Sequence, residues 1–175
     1  MDINEFCEKY KQADMVLIGI GSELHRKQLH DDDIAILREF ASKLERKNYF
    51  VITSNADNLI EELGLNPKRI AQPMLIAKDK EDVKEREEKQ WELYNKWLSA
   101  TLNKNLLLIE IGEGFQNPSL FRWPFEKVTL INQKAFLYRI HSVFAQLPEE
   151  ITRRAESINA NGIQFLKELK NNTTL

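Results

Sequence analysis

The sequence predicts an α/β fold: three layers, with a mostly parallel sheet carrying helices on both faces, in a single domain. Two observations predict it. Short apolar runs alternate with helical patterns along the whole chain, with no internal repeat and no low-complexity tract, as in strands joined by helical crossovers. The 175 residues, 42% of them hydrophobic and 30% charged, suit one domain with a substantial core.

The elements follow in chain order. An amphipathic helix covers about residues 2–13, with Ile3, Phe6, Cys7 and Tyr10 on one side. Cys7 is the only cysteine, so the chain can form neither an internal disulfide nor a thiolate zinc cluster, and its neighbours make it a buried, inert thiol. MVLIGI, 15–20, reads as a buried strand. DDDIAILREFASKLERK follows, with acids in its first turn and Ile34, Leu37, Phe40, Ala41 and Leu44 at helical spacing. YFVITS, 49–54, is a second strand, rich in β-branched and aromatic residues. Residues 55–63 read as a short helix stopped by Gly64. Residues 79–103 form a long helix, charged first and aromatic later, with Val83, Trp91, Tyr94, Leu98 and Leu102 near one stripe. Either the stripe packs on the domain beneath a solvated charged face, or the helix is a partner surface or lid. NLLLIEIG, 105–112, is a third strand, and Asn117 and Pro118 then open a helix as N-cap and first residue. Trp123 and Phe125 of that helix read as core, while Arg122 reaches either a phosphate or an acid on the long helix. AFLYRIH, 135–141, is a fourth strand, Pro148-Glu149-Glu150 starts another helix, and GIQFLKELK supplies the last.

Charge and hydropathy remove several function classes. The net charge is −2 and well mixed, so no basic surface is expected for nucleic acid or an anionic membrane. The apolar runs are far too short to span a bilayer, and MDINEFCEKYKQAD is too polar for a signal peptide; a cytoplasmic protein is expected.

Right-handed crossovers gather the loops at the carboxyl ends of the strands, where ligands of such sheets bind. Three of those ends carry unusual residues. Gly19-Ile20-Gly21-Ser22 lets backbone N–H groups approach an anion, or serves a turn alone. In Thr53-Ser54-Asn55-Ala56-Asp57, Asn55 or Asp57 caps the next helix; alternatively, an amide orients a water or a ribose hydroxyl and a carboxylate holds a carboxamide. Gly112-Glu113-Gly114-Phe115 is a second glycine pair after a strand, and two such loops on neighbouring strands could clamp one pyrophosphate. His25 and His30 read as exposed, and His141 as either a satisfied histidine or a ligand contact.

In that order, VLIGIGSE, VITSNAD, LLLIEIGEGFQNP and LYRIH resemble the sirtuins, the NAD-dependent protein deacylases, over nearly the whole chain. The stretch from WLSATLNK to LYRIH is most similar to the branch found beside macrodomain genes, whose members resemble ADP-ribosyl transferases. The resemblance implies a Rossmann-like domain over residues 1–175 and NAD as cofactor. It also implies backbone contacts to the pyrophosphate from Gly19 and Gly21, with Ser22 and Gly112 beside them. Thr53, Asn55 and Asp57 match their loop directly, so Asn55 would order the nicotinamide ribose and Asp57 would hold the carboxamide. Glu113 and Gly114 stand where Thr and Ser are usual, Glu23 takes the place of a serine, and Gln72 is nearest to the position of the base. His141, or else Asn132, would contact the adenosine end. The four cysteines of the family's zinc module and its flexible cofactor loop are missing, so no zinc is expected.

The reading that follows is cleavage of the nicotinamide–ribose bond of NAD, in ADP-ribosyl transfer or deacylase-type chemistry on a protein substrate. The alternative is a non-catalytic NAD or ADP-ribose sensor or scaffold with a protein partner, and a third is a generic α/β protein with another small ligand.

Overall fold

Among the described residues six strands lie side by side, and every pairing is parallel. The computed structural model describes residues 2–75 and 80–171, with side chains from residue 84 onward in the second stretch. The strands are β1 (Met15–Ile20), β2 (Asn48–Thr53), β3 (Ile70–Ala71), β4 (Leu106–Ile111), β5 (Ala135–Ile140) and β6 (Ala155–Ile158). Across the sheet the order is β3-β2-β1-β4-β5-β6. The chain steps outward from β1, returns to place β4 on the other side of β1, and steps outward again. This leaves a crevice at the carboxyl ends of β1 and β4, where the direction of winding switches.

The helices are α1 (Ile3–Gln12), α2 (Asp31–Leu44), α3 (Leu59–Glu62), α4 (Lys80–Ser99), α5 (Arg122–Ile131) and α6 (Gly162–Asn171). Alternate strand residues point to opposite faces, so β1 feeds two cores. Val16, Ile18 and Ile20 join Phe6, Leu37 and Phe165 from α1, α2 and α6. Met15 and Leu17 join Phe50 of β2, Tyr94 and Trp97 of α4, and Phe121 and Phe125 at α5. Every residue of β1 and β4 is buried, as a parallel sheet covered on both faces requires.

The expected three layers are therefore present, and the sheet is wholly rather than mostly parallel. The four expected strands are found with small shifts at their ends. β3 and β6, at the two edges, were not expected: two and four residues are too short to show a periodicity. Cys7 is buried on α1 as expected. Residues 55–58 are loop, and α3 is a single turn before Leu63 and Gly64, whose φ of 74° explains the stop. Pro148 precedes a 3₁₀ helix, Glu149–Arg154.

One helix start needs correction. α5 starts at Arg122, not at Asn117-Pro118. Those two residues form a turn instead, their carbonyls accepting from Leu120 N–H at 3.0 Å and Trp123 N–H at 2.9 Å. Phe121 is drawn onto β1 and Arg122 onto β4, so the chain turns inward before the helix can begin. Phe125 is core as expected, but Trp123 is exposed. The long helix does pack on the sheet. Its buried residues among those described are Tyr94 and Trp97, with Phe50 at ring distances of 5.3 and 5.8 Å, and Trp97 Nε1–H donates to Asn48 at 2.8 Å. Leu102 is exposed and lies beyond the helix, while residue 79 and the side chain of Val83 lie outside the described residues.

Candidate functional site

A cavity of about 250 Å³ opens at the carboxyl ends of β1, β2 and β4, with Ser22, Ser54, Asn55, Glu113 and Asn117 among its walls. Its shape depends on the first and third loops touching. Gly21 N–H donates to Ile111 O at 2.8 Å, and Glu23 N–H to Gly112 O at 3.1 Å. A Cβ on Gly21 would lie 2.4 Å from the Glu113 backbone, and Gly112 has a φ of 72° with its open side against Glu23. Both glycines are thus required by the contact between loops. Gly19 lies within β1 and leaves the space that the Phe121 ring fills. Of the N–H groups that the glycine loops would offer an anion, those of Gly21 and Gly112 are therefore already donated to carbonyls, the second to Ile140 O at 2.8 Å.

The second loop is tied into the same contact. Thr53 Oγ1 donates to Ile20 O at 2.9 Å and accepts from Asn55 N–H at 3.1 Å. Asn55 is buried, and its Nδ2 donates to the carbonyls of Gly21 at 3.0 Å and Leu24 at 3.3 Å. Asp57 accepts from Leu59 N–H at 3.1 Å, at the start of α3, and from Arg26 N–H at 2.6 Å. These are capping and bracing roles. Asn55 also faces the cavity, whereas Asp57 stands behind it, 3.3 Å from His25 Nδ1. His25 is half-buried and lines the cavity, which residue counting along an irregular loop could not have shown. Gln72 is not brought to this cavity; it lines another, between β3 and α4.

Glu113 is buried, and its carboxylate accepts from Ser54 Oγ at 2.5 Å. Burial pushes its pKa up, and nearby Glu110 adds to the rise; Ser54 and the Arg122 guanidinium partly oppose it. Gly114 faces His141 and Phe144. His141 Nδ1 accepts from Val143 and Phe144 N–H, both at 3.0 Å, which places the proton of the neutral ring on Nε2. Burial lowers the His141 pKa, with Glu23 opposing from 3.3 Å and Arg122 adding to the fall. Glu23 itself accepts from the Ser142 N–H at 3.0 Å, from the Ser142 hydroxyl, and from Gly162 N–H at 3.3 Å at the start of α6. Asn132 sits at the opposite end of the sheet, just before β5, where its amide donates to the carbonyls of Thr101 and Lys104. Of the two adenosine candidates, only His141 is on the cavity's edge of the molecule.

Beneath the third loop lies a buried ion cluster that the sequence reading missed. Arg139 grips Glu110 through two bonds, Nε at 2.8 Å and Nη2 at 2.9 Å. Arg122 reaches the same carboxylate at 2.9 Å and the Glu113 carbonyl at 2.9 Å. Arg122 thus pins an acid on β4, not one on the long helix. The signal was present: NLLLIEIG and AFLYRIH each carry one charge in an apolar strand, of opposite sign, and the two residues are register partners. Among the described residues, no three His, Cys, Asp or Glu side chains are grouped to hold a metal ion. None of the described helices is long and apolar enough to cross a membrane.

No protein-family model matches the chain, and no curated protein matches it in sequence. The structure is similar to that of Sir2Tm, a sirtuin, bound to a propionylated peptide: TM-score 0.60, with 98% of each chain covered and 13% identity. At that identity the likeness is one of fold. It confirms the expected Rossmann-like, sirtuin-type architecture for this single sheet and its helices.

Proposed function

We propose that this chain binds NAD or ADP-ribose in the crevice at β1, β2 and β4, with a ribose in the cavity. The observation that carries the reading is the cavity's lining at the switch point of a sirtuin-like sheet. The hydroxyls of Ser22 and Ser54, the amides of Asn55 and Asn117, and the Glu113 carboxyl offer donors and acceptors suited to sugar hydroxyls. On this reading the chain is a reduced relative of the macrodomain-linked sirtuins, without their family's zinc cysteines. Calorimetric titration with NAD and with ADP-ribose tests the reading. Saturable binding that weakens in Ser54→Ala supports it; no binding of either ligand at millimolar concentration removes it.

One observation favours turnover as a second reading. His25, whose Nδ1 accepts from Lys27 N–H at 3.3 Å and lies 3.3 Å from the Asp57 carboxylate, is the histidine that reaches the cavity among the described residues. A base there could activate water, while the polar walls stabilise the positive charge that develops on the ribose as nicotinamide leaves. The balanced reaction is NAD plus water giving nicotinamide, ADP-ribose and a proton. Chromatography of NAD incubated with the protein reads it directly. Nicotinamide release that is lost in His25→Ala identifies an enzyme; binding without release identifies a sensor or scaffold, to which the exposed charged face of α4 offers a protein-partner surface.

A further inference from the structure

A second cavity, of about 410 Å³, lies on the outer side of β3, between the segment 65–72 and α4. It is separate from the crevice above: the two share no lining residue. Its walls combine three features. Leu65, Ile70 and Leu93 supply an apolar surface. Lys68, Arg86 and Lys89 bring three cationic groups to it, against the single acid Glu61 among the described residues, which lies 3.8 Å from Arg86. Arg86 and Lys89 are three residues apart on α4, so one helix face presents both.

The third feature is an unmet donor. Gln72 is 5% exposed, and its Nε2 has no hydrogen-bond partner among the described residues. Its backbone N–H is satisfied by Gln90 Oε1 of α4 at 3.0 Å, so the glutamine is held in the cavity wall while its amide nitrogen is buried and unmet. A buried amide without a partner costs free energy that an acceptor would return. Apolar walls, surplus positive charge and an unmet amide donor in the wall suit one kind of ligand: a short apolar body ending in a carboxylate.

We propose that this cavity is a binding site for a small organic carboxylate, its apolar body between Leu65 and Leu93 and its carboxylate toward Lys68 and Lys89, with Gln72 in the wall beside it turning its unmet amide to the ligand on binding. The site is independent of the NAD reading. It adds a role for Gln72 that the first cavity does not provide.

Sodium hexanoate is a suitable probe, with 1-hexanol and sodium acetate as its uncharged and bodiless counterparts. The readout is the movement of the Gln72 side-chain and backbone amide resonances in ¹H–¹⁵N spectra of the full chain. Hexanoate is expected to shift both saturably at low millimolar concentration, with hexanol and acetate each at least about tenfold weaker. Lys89→Glu should weaken hexanoate about tenfold, and Leu93→Trp should abolish the shift by filling the cavity. Absence of a saturable shift overturns the proposal, as does equal binding of hexanol or acetate. Binding unchanged in Lys89→Glu, an exposed position that leaves folding intact, overturns it even if Leu93→Trp fails to fold. NAD titration of the same sample tests the other cavity separately, so either reading can fail alone.

Discussion

Gly21 and Glu113 meet so closely that each sets a constraint on the other. A methyl group on Gly21 would stand 2.4 Å from the Glu113 backbone, and neither loop can retreat, because Gly21 N–H and Glu23 N–H already hold the third loop. Gly21→Ala is expected to destabilise the chain by about 2–3 kcal/mol, measured by urea denaturation. Gly19→Ala is crowded as well, but by the Phe121 ring, a side chain rather than backbone. An equal or larger loss in Gly19→Ala would show that the ring is as immovable as the loop. Glu113 carries a second expectation. Burial raises its pKa in the folded state, so between its unfolded and folded values the native protein holds a proton that the unfolded chain has released. Its contribution to stability is therefore full below the unfolded pKa and is lost as pH rises through the folded one. In Glu113→Gln that loss disappears. Denaturation midpoints from acid to neutral pH should fall less in the variant than in the parent, and parallel profiles would show that the carboxyl titrates normally.

At the scale of elements, what joins β4, β5 and α5 is charge as well as packing. Glu110 is buried with a pKa that burial pushes up and Arg139 and Arg122 pull down. Arg139 also reaches Glu126 of α5 at 2.8 Å and the Gln146 carbonyl at 2.8 Å. Removing one partner strands a buried charge, which costs more than removing the pair. Arg139→Met is expected to cost about 3–5 kcal/mol, and Glu110→Leu with Arg139→Met clearly less than the two single losses added. Additive losses in a double-mutant cycle would mean that the ions do not interact in the fold. The cluster also shows where sequence reading stopped. β1, β2, β4 and β5 were legible because burial on both faces leaves a continuous apolar run. α5 was placed too early because Asn117-Pro118 is a sound local start signal that tertiary contacts of Phe121 and Arg122 overrule. The loops were legible as a set, but their glycines serve loop contacts, and His25 reaches the cavity through short 3₁₀ turns with no pattern to read.

For the molecule as a whole, one sheet serves two cores, and neither can be lost alone. Leu17 and Ile18 are neighbours on β1, yet one belongs to the core under α4 and α5 and the other to the core under α1, α2 and α6. Detaching α4 and α5 would expose one face of every central strand to water, removing the reason for the strands to stay paired. Unfolding should therefore be a single cooperative transition despite the two layers of helices. The tryptophans make this measurable, because Trp91, Trp97 and Trp123 are all on α4 or α5. Their fluorescence reports that side of the sheet, while far-UV circular dichroism reports all the helices. In urea the two signals are expected to give the same midpoint and the same slope. If fluorescence changes first, α4 and α5 form a layer that opens while the sheet survives. The carboxylate cavity beside α4 would then be held by a less stable part of the protein than the crevice at β1 and β4.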